Sequence, residues 1–84
     1  MEIKQRVRQF ISENFYVSDA MALTDDASLI TAGVVDSTGM LEVIEFLESE
    51  YGISIDDTEM TPENLETIGR IARFVAQKQA AAAR

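Results

Sequence analysis

Gly33-Val34-Val35-Asp36-Ser37-Thr38-Gly39-Met40-Leu41-Glu42 is the stretch that organises this chain. Its first half has the makings of a loop end: a glycine, then two valines suited to anchoring in apolar surroundings. Asp36 and Ser37 are both helix-capping types, because their side-chain oxygens accept from the unpaired N–H groups of a first turn. Met40, Leu41, Ile44, Leu47, Glu48 and Tyr51 then recur at helical spacing with only Glu48 polar, so the pattern predicts a helix over about Ser37–Tyr51. An exposed serine at its start is expected. Glu42, Glu45, Ser49 and Val43 are placed outward, with Glu42 and Glu45 forming a ridge on the side of Ser37. Gly39 costs up to ~1 kcal/mol inside a helix. Within the first turn the cost is smaller, and a residue without a side chain leaves room beside Ser37. Gly52 stops the helix as a left-handed cap.

Upstream, Ile3, Val7, Phe10, Ile11 and Phe15 fall on one face, which predicts a first helix over about Glu2–Phe15 with Asn14 near its end. The connection from Tyr16 to Asp36 is long. Ser18-Asp19 can cap a brief turn, and Leu23, Leu29, Ile30, Val34 and Val35 are expected to pack the segment onto the rest. Gly33 suits a backbone angle closed to other residues. Downstream, Ile53-Ser54-Ile55 alternates like a strand without a partner. It reads as an extended connector whose isoleucines plug the core, followed by a turn at Asp56–Met60. Thr61-Pro62-Glu63-Asn64 starts a very short helix with only Leu65 to bury. Thr67 caps the last helix, whose inward residues are Ile68, Ile71, Ala72, Phe74 and Val75. The alanine-rich tail from Gln77 is expected as frayed helix or disorder. The fold class is therefore all-α: one domain over residues 1–84, a small four-helix bundle of three longer helices and one short, with a long first loop.

Composition narrows the chemistry. The chain has 84 residues, no cysteine and no histidine, which removes disulfides, thiolate metal sites and the commonest general base. Asp56–Thr67 fails the calcium-loop pattern, with Thr61 where glycine is needed and Thr67 where glutamate is needed. A nucleophilic serine needs a base, and Lys4 and Lys78 lie far from Ser37 in sequence. Stand-alone catalysis is not expected. The formal charge is −8, and between Gln9 and Gly69 there is no basic residue but fourteen of the fifteen acids. Such a field repels nucleic acid and anionic lipid and draws basic protein surfaces. No signal peptide and no membrane span is evident, so a cytoplasmic monomer is expected.

Asp36-Ser37, Gly33 three residues before, Glu42 five after, and an acidic helix ending in Glu-Tyr-Gly-Ile together resemble the acyl carrier protein and peptidyl carrier protein family. The resemblance spans roughly Ile3 to Val75 and is most specific over Leu29–Ile55. Leu29 and Gly33 are similar to the family's loop leucine and glycine. The resemblance implies a stand-alone acyl or aminoacyl carrier, itself no enzyme. Ser37 would bear a 4′-phosphopantetheine arm from coenzyme A, installed by a phosphopantetheinyl transferase and holding intermediates as thioesters. It implies partner contacts at Asp36, Thr38, Glu42 and Glu45, with a loading ligase and downstream enzymes docking through basic surfaces. The family's third motif residue is leucine, and here it is Thr38. With Gly39, Glu45 and Phe46, that departure points to specialised carriers loaded by an adenylating ligase, away from fatty-acid synthesis. The alternative reading is a carrier-like interaction module that bears no arm.

Overall fold

The computed structural model describes residues 2–15, 24–31 and 33–82, the side chains of Ser37 and Ala82 excepted. Four α-helices follow one another: α1 (Ile3–Asn14), α2 (Ser37–Tyr51), α3 (Pro62–Leu65) and α4 (Ile68–Ala82), with a 3-10 turn at Asp57–Glu59 before α3. The chain is all-helical among the described residues, a bundle with three longer helices and a short fourth. Helix α4 is its centre and packs against the other three. Leu23, Ser18 and Asp19 lie outside the described residues.

The helix boundaries follow local chemistry. Glycine at position 52 takes φ 63° and ends α2 in the left-handed region. Pro62 opens α3 at the position where a missing N–H costs nothing. Thr67 starts α4, its hydroxyl accepting from the Arg70 N–H at 3.0 Å. The 3-10 turn is closed by a capping box between Asp56 and Glu59.

The core draws on every element. Val7 and Ile11 come from α1, Val43, Ile44 and Leu47 from α2, Leu65 from α3, and Ile68, Ile71, Phe74 and Val75 from α4. Leu29, Val34 and Val35 enter from the first loop, and Ile53 and Ile55 from the extended connector. Glu48, the one polar residue on the inward face of α2, accepts from the Ile55 N–H at 2.9 Å and so ties that connector down. Along the α1–α2 seam runs a row of rings. Phe15 meets Phe10 edge-on at 6.3 Å, Phe10 stacks on Phe46 at 4.1 Å, and Phe46 meets Tyr51 edge-on at 6.4 Å. The Arg6 guanidinium lies 4.8 Å from the Phe46 ring centre.

Several expectations need correction. Ile30 and Leu41, expected inside, are 50% and 55% exposed, whereas Val43, placed outward, is fully buried. The inward stripe of α2 is rotated from the sequence reading so that Val43 joins Leu47 among the fully buried residues. Helix α4 runs through Ala82, with Lys78 paired to Glu59 at 2.9 Å.

Ion pairs pin the loop and the turn. Asp25 takes both Lys4, at 3.2 Å, and Arg8 from α1. Hydrogen bonding from Lys4, then from Arg8, holds the Asp25 carboxyl below the ordinary carboxylate range. The Asp56 N–H, then Lys78, does the same to Glu59. Depressed folded values mean stability present above the unfolded pKa of about 4 and lost as pH falls through the folded ones. Urea midpoints should therefore drop from about pH 4 downward, and Asp25→Asn should flatten that fall. Tyr51 behaves oppositely. Burial, then Glu50, raises its pKa, and its buried hydroxyl has no hydrogen-bond partner among the described residues. Tyr51→Phe removes an unpaired polar atom, so Tm should hold or rise, by up to ~1 kcal/mol of stability. A Tm loss larger than that would show that the hydroxyl is paired.

Candidate functional site

The first turn of α2 is set by the loop before it. The Val34 and Val35 N–H groups both donate to the Leu29 carbonyl, at 3.0 and 3.1 Å, while Gly33 donates to Ile30 at 3.0 Å. That tight reversal requires φ 77° at Gly33, a left-handed angle that glycine adopts freely. Leu29 in turn donates to Glu66, and Gly69 donates to Asp25, both at 2.9 Å, so the loop is fastened to the α3–α4 junction. Asp36 is thereby held in extended conformation at the N-cap, its Oδ1 accepting from the Gly39 N–H at 2.6 Å. Capping falls to Asp36 alone, and Ser37 takes the first helical position. The expected exposure of the Ser37 hydroxyl lies outside the described side chains.

Gly39 answers a constraint that periodicity does not reveal. A Cβ there would stand 2.6 Å from Cε1 of Phe15 and 3.1 Å from the Asp36 carboxylate. The space expected to be left open beside Ser37 is thus shared with the Phe15 ring, which lies against the backbone of the first turn. Around it is a groove of about 370 Å³ lined by Asn14, Phe15, Gly33, Val34, Asp36, Thr38, Gly39 and Glu42. From sequence, Asn14 marks a helix end and Phe15 a core position. A glycine just inside a helix start, with an aromatic closing the previous helix, is the pattern that marks them.

The remaining singled-out residues sit as follows. Thr38 and Glu42 are exposed and line this groove. Glu45 is exposed one turn on and lines a second groove, of about 410 Å³, with Glu42, Phe10 and Phe46. Neither Glu42 nor Glu45 has an ion-pair partner among the described residues. Asp36, Thr38, Glu42 and Glu45 are therefore brought along one side of the first half of α2. Apart from the Asp36 cap, the first turn of α2 carries no acid. Its partial positive charge is free to meet an anion, an effect worth roughly 0.3–1 kcal/mol.

With this geometry in view, comparison with known proteins is specific. The family model described as phosphopantetheine attachment site matches residues 5–75. An acyl carrier protein of Thermotoga maritima is 31% identical over 77 residues, covering 92% of this chain and 91% of the relative. A D-alanyl carrier protein of Streptococcus suis is 32% identical over 77 residues, 92% of this chain and 95% of its own length. Among solved structures, a chain in the Bradyrhizobium japonicum glycine:[carrier protein] ligase complexed with glycylated carrier protein superposes with a TM-score of 0.66 at 26% identity. It covers 86% of this chain and 92% of that one. A chain in a crystal structure described as FAD-dependent dehydrogenase gives 0.71 at 26% identity, with 82% and 97% coverage.

Gly39→Ala should destabilise the fold by about 1–3 kcal/mol through overpacking against Phe15. Phe15→Ala in the same chain should relieve part of that cost, so the double variant falls short of the sum by at least ~0.5 kcal/mol in chemical denaturation. Strict additivity would mean that the ring and the glycine do not meet.

Proposed function

The chain belongs to the phosphopantetheine attachment-site family of carrier proteins, and on that premise we propose that Ser37 bears the arm. The observation that carries this is the local structure of α2. Asp36 does the capping, which leaves Ser37 as the serine of the motif at the first helical position, beside a groove and at the positive end of a helix. The residues present fit the group. The groove opens beside the attachment position, and the first turn lacks a competing acid other than its cap.

The arm supplies a thiol on which acyl or aminoacyl groups are held as thioesters. The chain's own contribution is positional. Ser37 offers a hydroxyl, and a transferase with magnesium joins its oxygen to the phosphate of coenzyme A, displacing the nucleotide half. The N–H groups of the first turn and the dipole of α2 favour the resulting phosphodiester charge. Asp36 keeps the helix start in register. Glu42 and Glu45, unpaired and exposed, steer basic partner surfaces, an attraction that weakens with salt.

We further propose a single carrier domain over residues 1–84, acting in the cytoplasm as a monomer and catalysing nothing itself. No helix among the described residues is long and apolar enough to cross a membrane. An adenylating ligase as loading partner is supported by the likeness to a carrier complexed with a glycine ligase, and by the D-alanyl carrier relative. Those likenesses also agree with Thr38, Gly39, Glu45 and Phe46 in favouring a specialised pathway over fatty-acid synthesis.

Intact-mass measurement after incubation with coenzyme A and a phosphopantetheinyl transferase tests the central assignment. A gain of about 340 Da is expected, and its loss in Ser37→Ala. If several transferases leave the mass unchanged, the arm-free interaction module becomes the better reading. Glu42→Lys should weaken partner binding while leaving arm attachment intact, and raised salt should erase most of the difference between the two chains.

A further inference from the structure

Among the described residues two large apolar side chains stand out in solvent, Ile30 at 50% and Leu41 at 55% exposure. Single exposed apolar residues are ordinary, but these two border one part of the molecule. Ile30 stands on the rim of an apolar recess of about 100 Å³ between the first loop, α2 and α3, whose other walls include Met40, Met60, Pro62 and Leu65. Leu41 follows Met40 and lies four positions, one helical turn, beyond Ser37. Backbone bonds hold Ile30 out. Its neighbour Leu29 is fully buried and donates to Glu66, while the Ile30 carbonyl accepts from Gly33 at 3.0 Å. The loop thus keeps an isoleucine half in water at the edge of a recess, although its burial would be favourable.

The chemistry of this surface selects its occupant. An apolar cavity of about 150 Å³ takes a benzene ring, so the recess has room for one aliphatic side chain. Two of its walls are methionines, whose flexible thioethers adapt to an incoming group. No cation among the described residues lines it. Arg70, the nearest, is tied to Glu66 at 3.6 Å and to the Pro62 carbonyl at 3.3 Å. Beside Leu41 stand Glu42, next in the chain, and Glu45, one turn on, both exposed and without an ion-pair partner among the described residues. An apolar centre with an acidic border fits a protein surface that offers an aliphatic side chain among lysines or arginines. A second copy of this chain would bring its own acids to that border and be repelled. We infer that Ile30, Leu41 and the recess form the docking surface for the enzyme that modifies Ser37, the phosphopantetheinyl transferase. Leu41 and Ile30 supply its apolar contact. This rests on Ser37 being the attachment residue.

The test uses the whole chain, coenzyme A and the transferase, with the gain in intact mass as the clock. Leu41→Gln should raise KM for the chain about tenfold and Ile30→Gln about threefold, the scale of losing a half-exposed aliphatic contact. In both, kcat should hold and the full mass gain should still be reached. Leu41→Met should stay near the parent, and Tm should hold in all three, because the positions are exposed. The Leu41→Gln defect should persist at high salt, unlike the loss of a contact between charges. In a methyl-labelled Ser37→Ala chain, which cannot react, added transferase should shift the Ile30, Leu41, Met40 and Met60 signals and leave those of Ile3 and Ala76 in place. An unchanged KM in both glutamine variants, with the mass still rising, would overturn the docking surface and leave Ser37 as the attachment residue. So would a concentration-dependent dimer lost in Leu41→Gln, which gives the patch to a second copy. Met40 and Met60 shifts that appear with the arm but not with the enzyme would overturn it too. A mass that never rises in the unmodified sequence would instead remove the attachment reading, and the docking surface with it.

Discussion

Leu29 is where the molecule's local and global structure are joined. Its N–H donates to the Glu66 carbonyl at the α3–α4 junction, and its own carbonyl accepts from both Val34 and Val35. Its side chain is fully buried. One residue thus fixes the loop to the far end of the bundle and fixes the start of α2 to the loop. Buried backbone groups must be paired, so these bonds are also the loop's solution to entering the core without a sheet or helix of its own. The position of Ser37 follows from them at two removes, through Val35 and the extended Asp36.

That arrangement separates two tasks that a single residue type could have mixed. Both Asp36 and Ser37 are suited to capping, but the carboxylate takes the cap. The first helical position, which the cap leaves to Ser37, is the one the proposed attachment uses. Phe15 and Gly39 form a second pairing of the same kind. A ring from the end of α1 lies where any larger residue on α2 would intrude, so the two helices come together at the first turn of α2.

Much of this was legible in the residues. The spans of α1 and α2, the glycine stop at Gly52, the Pro62 start, the Thr67 cap and the plugging by Ile53 and Ile55 all follow from patterns that act within a turn or two. What sequence could not supply was long-range orientation. Val43 and Leu41 are two positions apart on one helix, and which of them faces inward depends on where α4 lies. Ile30 looked like a core residue because it is apolar, yet it sits on a tight reversal whose anchoring falls to Leu29. From sequence Gly39 reads as room beside Ser37 in a tolerant first turn, because the ring that fills that room stands twenty-four positions earlier. The family likeness was legible because it rests on contiguous residues, Asp36 to Glu42, with Gly33 and Leu29 at fixed distance.

The pairing of cations has a consequence for how copies of this chain meet one another. Lys4 and Arg8 are taken by Asp25, Arg6 by Glu50, Arg70 by Glu66 and Lys78 by Glu59. Among the described cations only Arg73 lacks such a carboxylate. The positive charge is therefore spent inward, on fastening the chain to itself, and the net −8 is presented outward almost undiluted. Identical chains repel under such a field. The same charge would hold crowded copies of the chain apart until salt screens it.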